Sequence, residues 1–197
     1  MTDEQSLVTA ARRGDIQAFS KLILAHQTLA YNVAYRTLHD ADEAADATQQ
    51  AFISAFRSLS QFRGGSFRAW LLRIVTNACY DQLRRKKRRP AIALEDMAVD
   101  PDHTLLLTDE TESPEERMMR QDLGRAIQIG LDELPADQRL TVVLSDIQGL
   151  SYDEIAQVTG VSLGTVKSRL SRGRARLRKY LQREKELLPQ RYRPIIS

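Results

Sequence analysis

Cysteine, aromatic rings and turn-forming residues are all scarce in this chain. A single cysteine, Cys79, occurs in 197 residues, so no internal disulfide can form and no thiolate cluster can hold a metal. It lies in an apolar helical pattern and reads as a small buried hydrophobe. Three scattered histidines, His26, His39 and His103, give no ligand spacing, so neither a metal nor a cofactor is expected. Nine glycines, six prolines and 6% aromatic residues are few for a sheet protein. No apolar run approaches the roughly 18 residues that would span a bilayer. The opening MTDEQSLVTA lacks a basic segment followed by an apolar one, so no secretory leader is expected. The expected location is cytoplasmic. The composition, 42% hydrophobic and 28% charged, fits an all-α protein of one domain or two small ones.

Charge is segregated along the chain although the net value is only +3. Arg84 to Arg89 is an unbroken basic run, RRKKRR. From Pro90 to Glu116 there are nine acidic residues and no Lys or Arg. From Ile155 to Arg183 there are eight basic residues and no acidic one. Two basic patches point to a polyanion held at two places, and the acidic stretch between them would repel it.

Apolar spacing divides the rest into helices. Leu7, Ala10 and Ala11 belong to a short first helix that ends near Gly14. Asp15 can cap a second, with Phe19, Leu22, Ile23, Leu29, Val33 and Leu38 inward. Asp40 begins a third, with Ala44, Ala47, Ala51, Phe52, Phe56 and Leu59 inward. A glycine loop, residues 60–66, leads to a fourth that starts at Ser66 and buries Phe67, Leu71, Ile74 and Ala78. Residues 1–89 therefore read as one helical domain. Residues 90–114 hold three prolines, many carboxylates and little periodicity, the marks of a flexible linker. Fully extended, it could span at most roughly 85–90 Å. That is about two and a half turns of B-DNA. A second domain covers 115–185, and 186–197 form a tail. Leu123, Ile127 and Leu131 mark its first helix. Leu140, Val143, Leu144 and Ile147 mark the next, which Gly149 stops.

The strongest motif follows. Ser151 and Glu154 form a capping box before a short helix that buries Ile155, Ala156 and Val158. Gly160 breaks it, and Ser162 starts a second helix in which Val166, Leu170, Gly173 and Leu177 recur at helical spacing. The other face carries Lys167, Arg169, Arg172, Arg174, Arg176 and Arg178. Two short helices joined by a glycine turn, the second basic on its exposed face, predict a helix-turn-helix for the major groove. Thr165, Lys167, Ser168, Arg169 and Arg172 lie where such a helix meets base edges. Arg174 and Arg176 fall further along, where phosphate is the expected contact.

Over nearly its whole length the chain resembles the extracytoplasmic-function sigma factors of bacterial RNA polymerase. Three further segments carry the resemblance. Asp42-Glu43-Ala-Ala-Asp46-Ala-Thr-Gln49-Gln50-Ala-Phe52 is similar to the polymerase-binding helix of that family. Phe62-Arg-Gly-Gly-Ser-Phe67-Arg-Ala-Trp70-Leu-Leu-Arg73-Ile-Val-Thr-Asn77 is similar to its loop and helix that melt and read the −10 element. Leu134-Pro-Ala-Asp-Gln-Arg139, running on to Ser151-Tyr-Asp-Glu-Ile-Ala156, is similar to the start of its −35-reading domain. The resemblance implies a subunit that binds core polymerase through the clamp helices of the largest subunit and the flap of the second subunit. It implies an anti-sigma factor as a further partner. It assigns Asp42, Glu43, Asp46 and Gln49 to polymerase. The family often has an acid where this chain has Gln50.

The residues are suited to these roles. Strand separation needs an acceptor for an unstacked base, and Phe62, Arg63, Gly64 and Ser66 offer a ring, a cation and close backbone approach. Phe67 and Trp70 fit the buried stripe better than base stacking. Arg73, Asn77, Asp81 and Arg84 recur at spacings of four, four and three, a polar face for duplex edges. Arg84 and Arg85 open the run expected to grip phosphate. The acidic linker would imitate nucleic acid in the polymerase channel, with Asp96, Asp100 and Asp102 as its test positions. A stand-alone helix-turn-helix regulator is the alternative, but no dimerisation helix or ligand domain is evident. An enzyme is not expected, since the carboxylates cluster in the linker and on exposed helix faces.

Overall fold

A computed structural model of the chain describes residues 3–88 and 113–183. Almost all of the 90–114 linker, including Asp96, Asp100 and Asp102, lies outside the described residues, as do Arg89 and the 186–197 tail. Among the described residues eight α-helices carry the fold: α1 (Asp3–Arg12), α2 (Ile16–Leu38), α3 (Ala41–Ser58), α4 (Phe67–Arg88), α5 (Pro114–Asp132), α6 (Ala136–Val142), α7 (Tyr152–Thr159) and α8 (Leu163–Arg183). A 3₁₀ turn, Leu59–Gln61, follows α3, and a π-helical turn, Val143–Ile147, continues α6.

Local chemistry sets the helix ends. The Asp15 carboxylate accepts from the Gln17 and Ala18 N–H groups, and Asp40 accepts from Glu43 N–H. Capping boxes open α5 (Ser113 with Glu116) and α7 (Ser151 with Glu154). Each satisfies two backbone donors that the first helical turn leaves without partners. Gly160 closes α7 at φ 69°, a backbone conformation in which a side chain would be strained.

In the first domain α2, α3 and α4 pack on one another, with α1 laid against α2. The face of α3 that enters the core is Ala44, Ala47, Thr48, Ala51 and Ala55. These small residues let α3 approach closely. Phe56 corrects the sequence reading: it is 52% exposed, its ring edge-on to Phe19 at 5.1 Å. A turn of 3.6 residues carries it past the alanine stripe, which already fills the close contact. On α4 the fully buried line is Leu71, Leu72, Val75 and Cys79, with Ile74 and Ala78 only partly covered.

In the second domain α8 packs on α6, with α7 and α5 against it. Gly173 is the point of closest approach: a Cβ there would stand 2.8 Å from Val142 Cγ2. Ile147, expected inward, is 37% exposed. The π turn is the cause, because its wider rotation moves Ile147 off the stripe of Leu140, Val143 and Leu144.

The two domains touch. α4 lies against α7, and α2 lies against α6 and the π turn. One apolar core runs from Val33, Leu72 and Val75 into Leu140, Leu144, Ile155 and Val158. A second, smaller core under the α3–α4 loop gathers Val8, Phe19, Leu22, Phe62, Phe67 and Leu71.

Candidate nucleic-acid interface

The loop between α3 and α4 turns on two glycines, Gly64 at φ 97° and Gly65 at φ 89°, with open space around both. Ser66 then caps α4, its Oγ accepting from Ala69 N–H at 3.1 Å. Loop and helix enclose a groove of about 350 Å³ lined by Arg63, Gly64, Ser66, Trp70 and Arg73, with Gln157 of α7 on its far wall. Phe62 also borders it, but the ring is only 5% exposed and packs on Phe67 and Trp70 at 6.0 and 5.3 Å. This corrects the stacking role expected of Phe62: the ring serves the small core. Phe67 is fully buried as expected, and the aromatic edge open to the groove belongs to half-buried Trp70.

The polar face of α4 runs on from this groove. Arg73, Asn77, Asp81, Arg84 and Arg85 are all exposed. Arg84 donates to Asp81 one turn away, which gives two of the expected duplex contacts to each other. A second groove of about 220 Å³ between α3 and α4 holds Asp46, Gln49, Asp81 and Arg85. The face expected to meet polymerase is therefore continuous with the face expected to meet DNA. Asp42, Asp46 and Gln49 are exposed on it. Glu43 is partly covered and pairs with the exposed Lys86 of α4 at 3.3 Å.

The helix-turn-helix is α7 and α8. Ser162 caps α8, accepting from Thr165 N–H at 3.2 Å, and its hydroxyl also bonds that of Thr165. Ser168 Oγ donates to Thr165 O at 2.9 Å. Val166, Leu170 and Gly173 are buried as the spacing requires. Lys167, Arg172 and Arg176 are exposed, with no ion pair among the described residues.

Two arginines on this helix are held by the chain itself. Arg169 Nε lies 3.0 Å from Asp137 Oδ2 on α6. Arg174 forks onto Asp146, Nε to Oδ2 at 3.0 Å and Nη2 to Oδ1 at 2.5 Å, and reaches Ser145 Oγ and Tyr152 OH. Its pKa is raised above the ordinary guanidinium value, first by the Asp146 hydrogen bonds and then by Tyr152. Near neutral pH the pair carries no net charge. Phosphate contact by Arg174, as expected from the sequence, requires that fork to open.

Glu154 accepts from the Ser151 N–H at 2.9 Å and from its hydroxyl at 2.8 Å, and these bonds hold its carboxyl below the usual range. On α4, burial raises the pKa of Tyr80, while Arg169 opposes the shift and Asp137 adds to it. Sequence reasoning missed Asp137, Asp146 and Tyr152 because each is an ordinary polar residue until α8 is docked. The acid-arginine complementarity of these segments was the available signal.

No group of three His, Cys, Asp or Glu among the described residues could hold a metal. No described helix is long and apolar enough to cross a membrane.

Comparison with known proteins agrees with this geometry. The sigma-70 region 2 family matches residues 22–89, and sigma-70 region 4 matches 124–177. RNA polymerase sigma-H factor of Pseudomonas aeruginosa is 39% identical over 91% of this chain and 94% of its own. ECF RNA polymerase sigma-E factor of Escherichia coli K12 is 34% identical over 87% of this chain and 90% of its own. Among solved structures, CnrH in complex with the cytosolic domain of CnrY superposes with a TM-score of 0.66 at 28% identity, covering 92% of this chain and 98% of that one. RpoE from Bartonella quintana, in complex with the anti-sigma factor NepR, also gives 0.66, at 27% identity over 84% of this chain and 98% of its own. With both regions matched in order, and full-length relatives above 30% identity, the chain belongs to the extracytoplasmic-function RNA polymerase sigma factors.

Proposed function

We propose that residues 1–89 bind core RNA polymerase and melt and read the −10 element, and that residues 115–185 read the −35 element. The exposed basic face of α8 is the observation that supports this most directly. Lys167 and Arg172, on the first turns, meet base edges, and Arg176 meets phosphate. Arg169 and Arg174 orient the recognition helix through Asp137 and Asp146. In the first domain the groove of Arg63, Gly64, Ser66 and Trp70 takes an unstacked base, and Arg73, Asn77 and Arg85 border the duplex. Asp42, Asp46 and Gln49 dock polymerase. The protein performs no bond chemistry of its own. An anti-sigma factor, as named in the RpoE complex, is the partner expected to hold it inactive.

The test is transcription in vitro with core polymerase and a promoter library. The native chain should give promoter-dependent starts that define both elements. Arg172→Ala should lose on the order of 1–3 kcal/mol of discrimination at one −35 base pair. Lys167→Ala should do the same at a neighbouring pair. Trp70→Ala should leave −35 binding intact and reduce open-complex formation. Tight duplex binding without polymerase, and no promoter-dependent transcript, would instead identify a stand-alone regulator.

A further inference from the structure

A glycine inside a helix needs a reason, because no residue loses more freedom when it is ordered. Packing supplies one at two positions of α5 and α8. A Cβ on Gly173 would stand 2.8 Å from Val142, and one on Gly130 would stand 2.7 Å from Leu177 and 3.0 Å from Tyr180. Gly164, in the first turn of α8, is different. It is exposed, and its φ is not in the left-handed region. A Cβ there would meet only Ser162 Oγ, at 3.9 Å, an ordinary contact. Nothing among the described residues calls for glycine at this position.

Gly164 lies on the side of α8 turned away from the core. Gly164, Ser168 and Ser171 follow one another at spacings of four and three, the repeat of one helix face. Ser168 stands two residues on from buried Val166, about 200° round the helix. Exposed Lys167 borders this line on one side and exposed Arg172 on the other. The two hydroxyls on it differ. Ser168 donates to the Thr165 carbonyl within its own helix. Ser171 is exposed and has no hydrogen-bond partner among the described residues. A helix with its side chains is about 10–12 Å across, and the major groove is about 12 Å wide. Short residues between two long cations let such a helix sink towards the base pairs while the cations reach outward.

We propose that Gly164 is the point of closest approach of α8 to the −35 duplex, and that Ser171 reads a base edge beside it. The inference deepens the −35 reading given above and rests on it. Gly164 is a positioning residue. With hydrogen in place of a methyl, the helix backbone meets the groove in direct contact, which sets the depth at which Lys167 and Arg172 reach their base pairs. Ser171 is a specificity-determining residue. Lys167 and Arg172 can only donate, whereas Ser171 Oγ can accept from the exocyclic amino group of adenine or cytosine.

The experiment pairs the full chain with core polymerase and measures binding to promoters that carry single-base changes in the −35 element. Thermal melts of the chain alone accompany it. Gly164→Ala should melt no lower than the native chain. It should bind every promoter of the panel at least about fivefold more weakly, with the order of base preferences kept. Ser171→Ala should lose at least about fivefold discrimination at one base pair and leave the others as they are. Ser171→Gln, which lengthens the side chain without adding charge, should weaken binding to the whole panel. Native-like binding by Gly164→Ala would overturn the close approach, and a lowered melting temperature would show that this glycine serves the fold instead. Unchanged preferences in Ser171→Ala, or native-like binding by Ser171→Gln, would overturn the base contact. A native holoenzyme indifferent to every −35 change would overturn the −35 reading itself, and the inference with it, before any variant is compared.

Discussion

Cys79 shows how burial alone changes a side chain. Its thiol is fully covered, and desolvation pushes its pKa up to about 12 from an ordinary 9.0. A disulfide reagent at pH 8 should therefore leave the folded protein unmodified and react fully once denaturant is added. The folded chain holds this proton more tightly than the unfolded chain. The resulting stability is complete below the unfolded pKa and is lost as pH rises from about 9 towards about 12. Thermal melts across that range should show the loss, and Cys79→Ala should remove that component of it. Gly173 is the complementary case, since added volume there meets Val142, which is itself buried. Gly173→Ala should lower the melting temperature, because overpacking costs about 1–3 kcal/mol against about 1 kcal/mol gained in helix propensity. The burial of both residues was readable from spacing. The burial of Phe62 was not, because a loop has no period and an aromatic beside two glycines suits a core as well as a base.

Helix boundaries were legible because capping is local chemistry. Asp15, Asp40, Ser66, Ser151, Gly160 and Ser162 all act within a few residues of themselves, so their types announce their roles. Helix faces were less so. Phe56 looks inward by apolarity, yet alanines hold the contact. Ile147 fits a regular 3.6 repeat that the π turn interrupts. The capping box of α7 gives a prediction at this scale. Ser151→Ala should destabilise the helix-turn-helix by about 0.5–2 kcal/mol, read by melting. It should also bring the Glu154 carboxyl part of the way back towards its ordinary pKa, because the hydroxyl donor is lost while the backbone N–H of residue 151 still donates. In the native chain the lowered Glu154 pKa contributes stability above the unfolded carboxyl pKa and loses it as pH falls through the folded value. The variant should therefore lose less stability on acidification than the native chain.

At the scale of the molecule, the two-domain all-α plan was readable from charge blocks and apolar periods, and the motifs located the candidate sites. The closure of one domain on the other was not. Its polar contacts join residues such as Thr37 and Arg139, 102 positions apart, and nothing local marks either as a partner of the other. The same holds for the arginine-carboxylate pairs that steady α8. Asp146→Asn should weaken that support without removing any group assigned to DNA. Its expected result is a lower affinity for the whole −35 element with base preferences unchanged, measured by binding to a panel of single-base variants. The π turn supplies Asp146 and Ser145 to this support and sets the rotation of everything after it. Restoring a regular helix by deleting one residue there would turn the following segment by about 100°. The aim of the recognition helix is thus stored upstream of it. A chimera that exchanges α8 alone inherits the donor's letters and the recipient's line of sight.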